Sequence, residues 1–239
     1  MANFLRLLLG LMLLPACWGV ARAFPACLIA ATASSGWLGA ETLSLLGGLV
    51  AFSLVWLALP HPVRAYVLGH ELTHALWGLL FGARPSRLRV RASGGSVQLT
   101  KSNMLITLAP YFFPFYTFTV LLVAGGVMLF VRPLPCRPLW LFSIGFTWAF
   151  HVLFTLETLT HRQPDITLYG RVFSWVLVFL LNALLVLVAL ASVTPLSFAD
   201  LARMLFDGAA SAYSGVVMFV WSLVSRVRVW LTAVLVLHP

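Results

Sequence analysis

The sequence predicts an all-α polytopic membrane protein of about six transmembrane helices, with one small β-hairpin after the third. Three observations carry that expectation. The chain is 62% hydrophobic and only 9% charged, with a mean hydropathy of +1.01, whereas soluble domains carry roughly 25% charged residues. Its apolar residues gather into runs of about 20, the length that crosses a bilayer core. Period-two alternation, the mark of a strand, appears over one short stretch and flanks a Gly-Gly pair.

A length of 239 residues fits one helical bundle with little room for a separate soluble domain. The net charge of +9 does not indicate nucleic acid. Lysine and arginine are scattered between apolar segments, as in loops that face anionic lipid. Cys17, Cys27 and Cys136 are dispersed and odd in number, which reads as free thiols rather than a disulfide framework.

Taken in order, residues 1–59 hold two N-terminal helices. The first, 3–23, begins with Arg6 and ends on Ala21-Arg22-Ala23, a signal-like pattern. Its apolar run is long and membrane sequence resumes at once, so a retained helix is expected. The second covers 37–59, after which Pro60-His61-Pro62 breaks the chain. Residues 60–195 form the core. A helix over 62–82 carries the motif described below, and a hairpin at about 87–100 turns at Ser93-Gly94-Gly95. Further spans are expected over 104–131, 139–160 and 171–194. Gly47-Gly48 and Gly125-Gly126 suit close helix packing. In the remaining 196–239, residues 212–237 are apolar but interrupted by Arg226 and Arg228, so an interfacial helix and a further span are both open.

The chemistry-bearing stretch is Leu68-Gly69-His70-Glu71-Leu72-Thr73-His74, an HExxH motif. On a helix, i and i+4 share a face, so His70 and His74 can offer imidazole nitrogens to one metal ion. Glu71 stands beside them, placed to take a proton from water. Zinc suits such a set because its catalytic sites combine three protein ligands with one open position. The third ligand must come from elsewhere, and Asp165, His161, His151, His61 and Glu157 are the candidates. Alternating spans return Asp165 to the hairpin's face of the membrane. His74 lies about 12 Å above that end of its own helix. Arg22, Arg84, Arg87, Arg89, Arg91, Lys101, Arg162 and Arg171 fall on the hairpin's side, against Arg6, Arg64, Arg132, Arg137 and Arg203 on the other. That balance places the hairpin in the cytoplasm.

With these features the chain resembles the site-2 protease family of intramembrane zinc metallopeptidases. The shared features are HExxH in a membrane helix, a hairpin just after it, another span and a late aspartate at a membrane boundary. The resemblance covers roughly residues 60–195. It implies Zn2+ held by His70, His74 and Asp165, with Glu71 as general base. It also implies a transmembrane protein substrate, no nucleic-acid partner, and a multi-pass location in a bacterial-type inner (plasma) membrane. The family pattern has asparagine eight residues before an Asp-Gly pair; here Glu157 and Ile166 stand at those positions. Glu157 and His161 are therefore expected as supporting or substrate-positioning residues. A membrane metal transporter and an inactive protease-like scaffold are the alternative readings.

Overall fold

A computed structural model of the chain describes residues 2–32, 39–91, 93–193 and 197–237. The start expected at 37, Ala92 in the hairpin and the boundary at 194–196 lie outside the described residues. The elements run α1 (Ala2–Thr32), α2 (Ala40–Ala58), α3 (Val63–Leu80), β1 (Pro85–Arg91), β2 (Gly94–Leu99), α4 (Met104–Phe112), α5 (Phe115–Phe130), α6 (Arg137–Thr160), α7 (Pro164–Leu168), α8 (Arg171–Val193) and α9 (Phe198–Leu237). The chain is thus mostly helical, with one two-stranded antiparallel sheet after the motif helix.

Among the described residues, five helices are long and apolar enough to cross a membrane, or six if the bent pair α4–α5 counts as one span. The five lie in α1, α2, α6, α8 and α9. This is the pattern of a multi-pass membrane protein, and one helix of the expected set is missing from it. α3 is not among the five, because Arg64, His70, Glu71 and His74 dilute its apolar content. The tail, open in the sequence, is a single helix whose apolar stretch covers Phe198–Thr232.

The continuous span expected over 104–131 is also not what forms. α4 and α5 meet at 79°. Phe113 precedes Pro114 and takes extended backbone angles, as the steric demand of the proline ring on its predecessor requires. The bend turns α4 into a short segment buried from Ile106 to Phe112. Its Leu108, Ala109, Tyr111 and Phe112 pack with Ile166 of α7 and Val178 of α8. Asn103 caps its start by accepting from the Ile106 amide at 2.9 Å.

α2 and α6 run parallel at backbone contact distance, with Glu41 beside Arg137 at one end and His61 beside Glu157 at the other. A Cβ on Gly48 would strike the Phe142 carbonyl, and one on Gly145 the Leu45 carbonyl. Gly48 thus serves the close packing expected of it, whereas Gly125 and Gly126 meet nothing within 4 Å. With α2 and α6 parallel, α3 starts at the end of the bundle where α6 finishes, and the strict alternation of spans expected from the sequence does not hold. Arg64 and Arg6, expected on the face opposite the hairpin, stand at this end instead, Arg6 donating to the Leu168 carbonyl oxygen at 2.7 Å. The hairpin pairs Arg91 with Gly94 and Pro85 with Leu99, with an irregularity between Ser86 and Arg89 where Arg87 takes a positive φ. β2 lies along α3. Its Gly95 faces Val67 and Glu71, and its Leu99 reaches Gly78.

Candidate metal centre

His70 and His74 project from one face of α3, as i,i+4 spacing dictates. Their Nε2 atoms stand 3.2 Å apart. Asp165 Oδ2 lies 3.5 Å from each. Atoms bound tetrahedrally at about 2.0–2.1 Å from one ion stand roughly 3.3 Å from one another. These three therefore have the spacing of a shared coordination sphere, and among the described residues they form the one such group of three or more.

Each of the three has a further partner. His74 Nδ1 is 2.9 Å from the Ile106 carbonyl oxygen. A carbonyl only accepts, so Nδ1 carries a hydrogen and Nε2 is the nitrogen that faces the centre. The Ile106 carbonyl is free for this because the residue four further on is Pro110, which has no N–H to return to it. His70 Nδ1 faces the Tyr66 hydroxyl at 3.5 Å. Tyr111, fully buried, donates its hydroxyl to Asp165 Oδ2 at 3.3 Å. The Tyr111 carbonyl, released from helical bonding by the break after Phe112, accepts from Asn182 Nδ2 at 2.9 Å.

Asp165 sits in the first turn of α7, behind Pro164. Ile166 beside it is buried in the core with α4 and α8 and fixes the turn's orientation. Its carbonyl accepts from buried Ser174 at 3.0 Å. Burial works against ionisation of Asp165, but hydrogen bonds with His70 and His74 outweigh it and hold the carboxyl well below the usual carboxylate range. The centre favours a bare carboxylate with positive charge against it.

Glu71 follows His70 by one residue and so turns about 100° away around α3, toward the hairpin. It is 6% exposed, and a Cβ on Gly95 would come within 2.8 Å of its Oε1. The absence of a side chain at 95 is what lets β2 close over this carboxylate. All four residues line a cavity of about 850 Å³. β2 with Ser93 contributes to its lining, as does the end of α6 (Phe154, Glu157, Thr158) with His161 and Gln163.

Of the five candidates for a third donor, the structure brings Asp165 to the histidines. His151 is buried within α6 and meets Asn182 Oδ1 at 3.3 Å. His161 is exposed, with Nδ1 2.9 Å from the Glu157 carbonyl oxygen. His61 stacks on Trp56 with centroids 3.7 Å apart. Glu157 stands on the cavity wall, its carboxylate 3.6 Å from His61 Nδ1. Sequence reasoning did not find Tyr66, Tyr111 or Asn182. Tyr66 was within reach of it, lying one turn before His70 on the same face. Comparison of the chain with models of known families, curated proteins and solved structures finds no match.

Proposed function

We propose that this chain is an intramembrane zinc metalloprotease, hydrolysing peptide bonds of membrane-protein substrates within or near the bilayer. One observation carries the reading. Two imidazoles and a carboxylate converge at ligand spacing beside a buried glutamate, in a cavity open to an extended strand and set among apolar helices. A two-His, one-carboxylate set leaves a fourth position for water or substrate, as catalytic zinc sites do. Bound there, Zn2+ supplies Lewis acidity that polarises a carbonyl and acidifies water.

The chain's own residues do the rest. Glu71 accepts the proton of the attacking water on its carboxylate and returns it to the leaving amine nitrogen. The outer edge of β2 offers backbone hydrogen bonds to an extended substrate segment, holding its scissile bond out of helical form. That requirement is real, because a membrane helix keeps its peptide groups in internal hydrogen bonds. Arg84, Arg87, Arg89, Arg91 and Lys101 gathered about the hairpin, with Arg6 at the same end of the bundle, support a cytoplasmic hairpin and cavity mouth.

The test uses the purified chain in detergent with zinc and synthetic membrane-spanning peptides. Glu71→Gln should keep its metal and lose about 100-fold or more in cleavage rate, the span of a general base. Asp165→Ala should lose the metal. A Glu71→Gln protein that cleaves like the wild type would sink the mechanism. Wild type without bound metal would favour the inactive scaffold, and metal uptake into liposomes that survives Glu71→Gln would favour the transporter.

A further inference from the structure

Charge is distributed unevenly between the cavity and the rest of the molecule. The chain has 15 Lys and Arg against 6 Asp and Glu. Yet Glu71, Glu157 and Asp165 all line the cavity, and no Lys or Arg is among its described lining residues. A divalent ion on the histidines and Asp165 offsets two of those three negative charges. Asp165 is spent as a ligand and Glu71 as a base, which leaves Glu157.

Glu157 occupies a position that helix electrostatics disfavours. α6 ends at Thr160, so this carboxylate lies in the last turn, against the negative end of the helix dipole. No basic residue shares that turn. Its side chain is 39% exposed, and among the described residues its one ion-pair partner is His61, with Nδ1 at 3.6 Å, charged only when the imidazole is protonated. His61 is itself engaged elsewhere, stacked on Trp56 with Nε2 3.2 Å from the Trp56 carbonyl oxygen. Glu157 also stands outside the group of donor atoms that converge at the centre. Phe154, one turn before it, lines the same cavity, and so does β2. An extended segment lying along β2 and past the metal donors turns alternate side chains into this cavity.

Resting on the protease reading, we propose that Glu157 is a specificity-determining residue that pairs with a cationic side chain, Lys or Arg, of the extended substrate segment. The helix dipole, which disfavours a carboxylate at this end of α6, favours the incoming cation by the same sign. Membrane proteins carry an excess of such residues in their cytoplasmic juxtamembrane segments.

The experiment offers the full-length protein a family of synthetic membrane-spanning peptides of about 25 residues. They are identical except for Lys, Gln or Glu scanned through one juxtamembrane segment. Cleavage is followed in wild type, Glu157→Gln and Glu157→Lys. Binding of the same peptides is measured on Glu71→Gln, and metal content and helical content on every variant. At the responsive position, wild type should cleave the Lys peptide about tenfold better in kcat/KM than the Glu peptide. That factor corresponds to about 1.4 kcal/mol. Glu157→Gln should shrink the ratio to about twofold, and Glu157→Lys should invert it. Cleavage with the same charge preference in all three proteins overturns the proposal and leaves hydrolysis standing. Loss of metal from Glu157→Gln at unchanged helical content also overturns it, since that would make Glu157 a ligand. Lys-selective binding to Glu71→Gln that vanishes when Glu157→Gln is added, with no cleavage by wild type, would support the subsite and remove the protease reading.

Discussion

At the scale of single residues, the centre is held from three directions by partners of different chemistry. A backbone carbonyl fixes His74, a phenol stands behind His70, and a second phenol donates to Asp165. Such partners choose the tautomer and the rotamer of a ligand before the metal arrives. Tyr111 is the sharpest case, because it is fully buried and its hydroxyl reaches the donor contributed by a different element. Tyr111→Phe keeps the ring packed against His70 and removes only the hydroxyl. We expect metal affinity to fall about tenfold, read by competition with a chromophoric chelator, while the thermal midpoint stays close to wild type. Unchanged affinity would mean that packing alone places Asp165.

At the scale of elements, the break between α4 and α5 organises the site. Prolines there act twice: Pro114 forces the bend after Phe112, and Pro110 leaves the Ile106 carbonyl without its helical partner. That carbonyl is the one His74 uses. Pro110→Ala restores an N–H four residues after Ile106, which competes with the imidazole for the same oxygen. The variant should weaken metal binding several-fold, toward the roughly tenfold loss typical of a missing ligand partner. Cobalt substitution provides the readout, through a shifted or weakened visible absorption. An identical spectrum and affinity would show that the carbonyl does not steer His74. The hairpin is positioned by a comparable economy of atoms, since Gly95 lets β2 rest on Val67 and Glu71.

At the scale of the whole molecule, α6 sets the distance between the two ends. It has 24 residues, about 36 Å along its axis. Its C-terminal turn forms the cavity wall, and its N-terminus pairs with the start of α2 through Arg137 and Glu41 at 3.0 Å. Exposed Cys136 just before it therefore marks the end remote from the hairpin. A membrane-impermeant maleimide added to sealed vesicles should label Cys136 from one side only. In a Cys136→Ser background, Gln98→Cys on β2 should label only from the other, the cytoplasmic side in the proposed orientation. Labelling of both from one side would rule out this arrangement, and the reverse pattern would invert the orientation.

The sequence by itself determined that the chain is a multi-helix membrane protein, that a strand pair follows the motif helix, and that His70 and His74 share a face. Each of these is a local property: apolar content over about 20 residues, period-two alternation at a turn, and the 3.6-residue period of a helix. Only the tertiary structure decided which of Asp165, His161, His151, His61 and Glu157 stands beside them. It also decided that α4 and α5 form a bent pair rather than a straight span and that Phe198–Leu237 is one helix. The physical reason is that Asp165 reaches the histidines through packing between distant segments. Ile166 locks α7 against α4, Asn182 of α8 holds the broken end of α4, and Tyr111 joins that end to the carboxylate. No periodicity along the chain encodes such contacts. Pro110 and Pro114 stand in the sequence, but what they release, a carbonyl for His74 and another for Asn182, takes on meaning only when the chain folds back on itself.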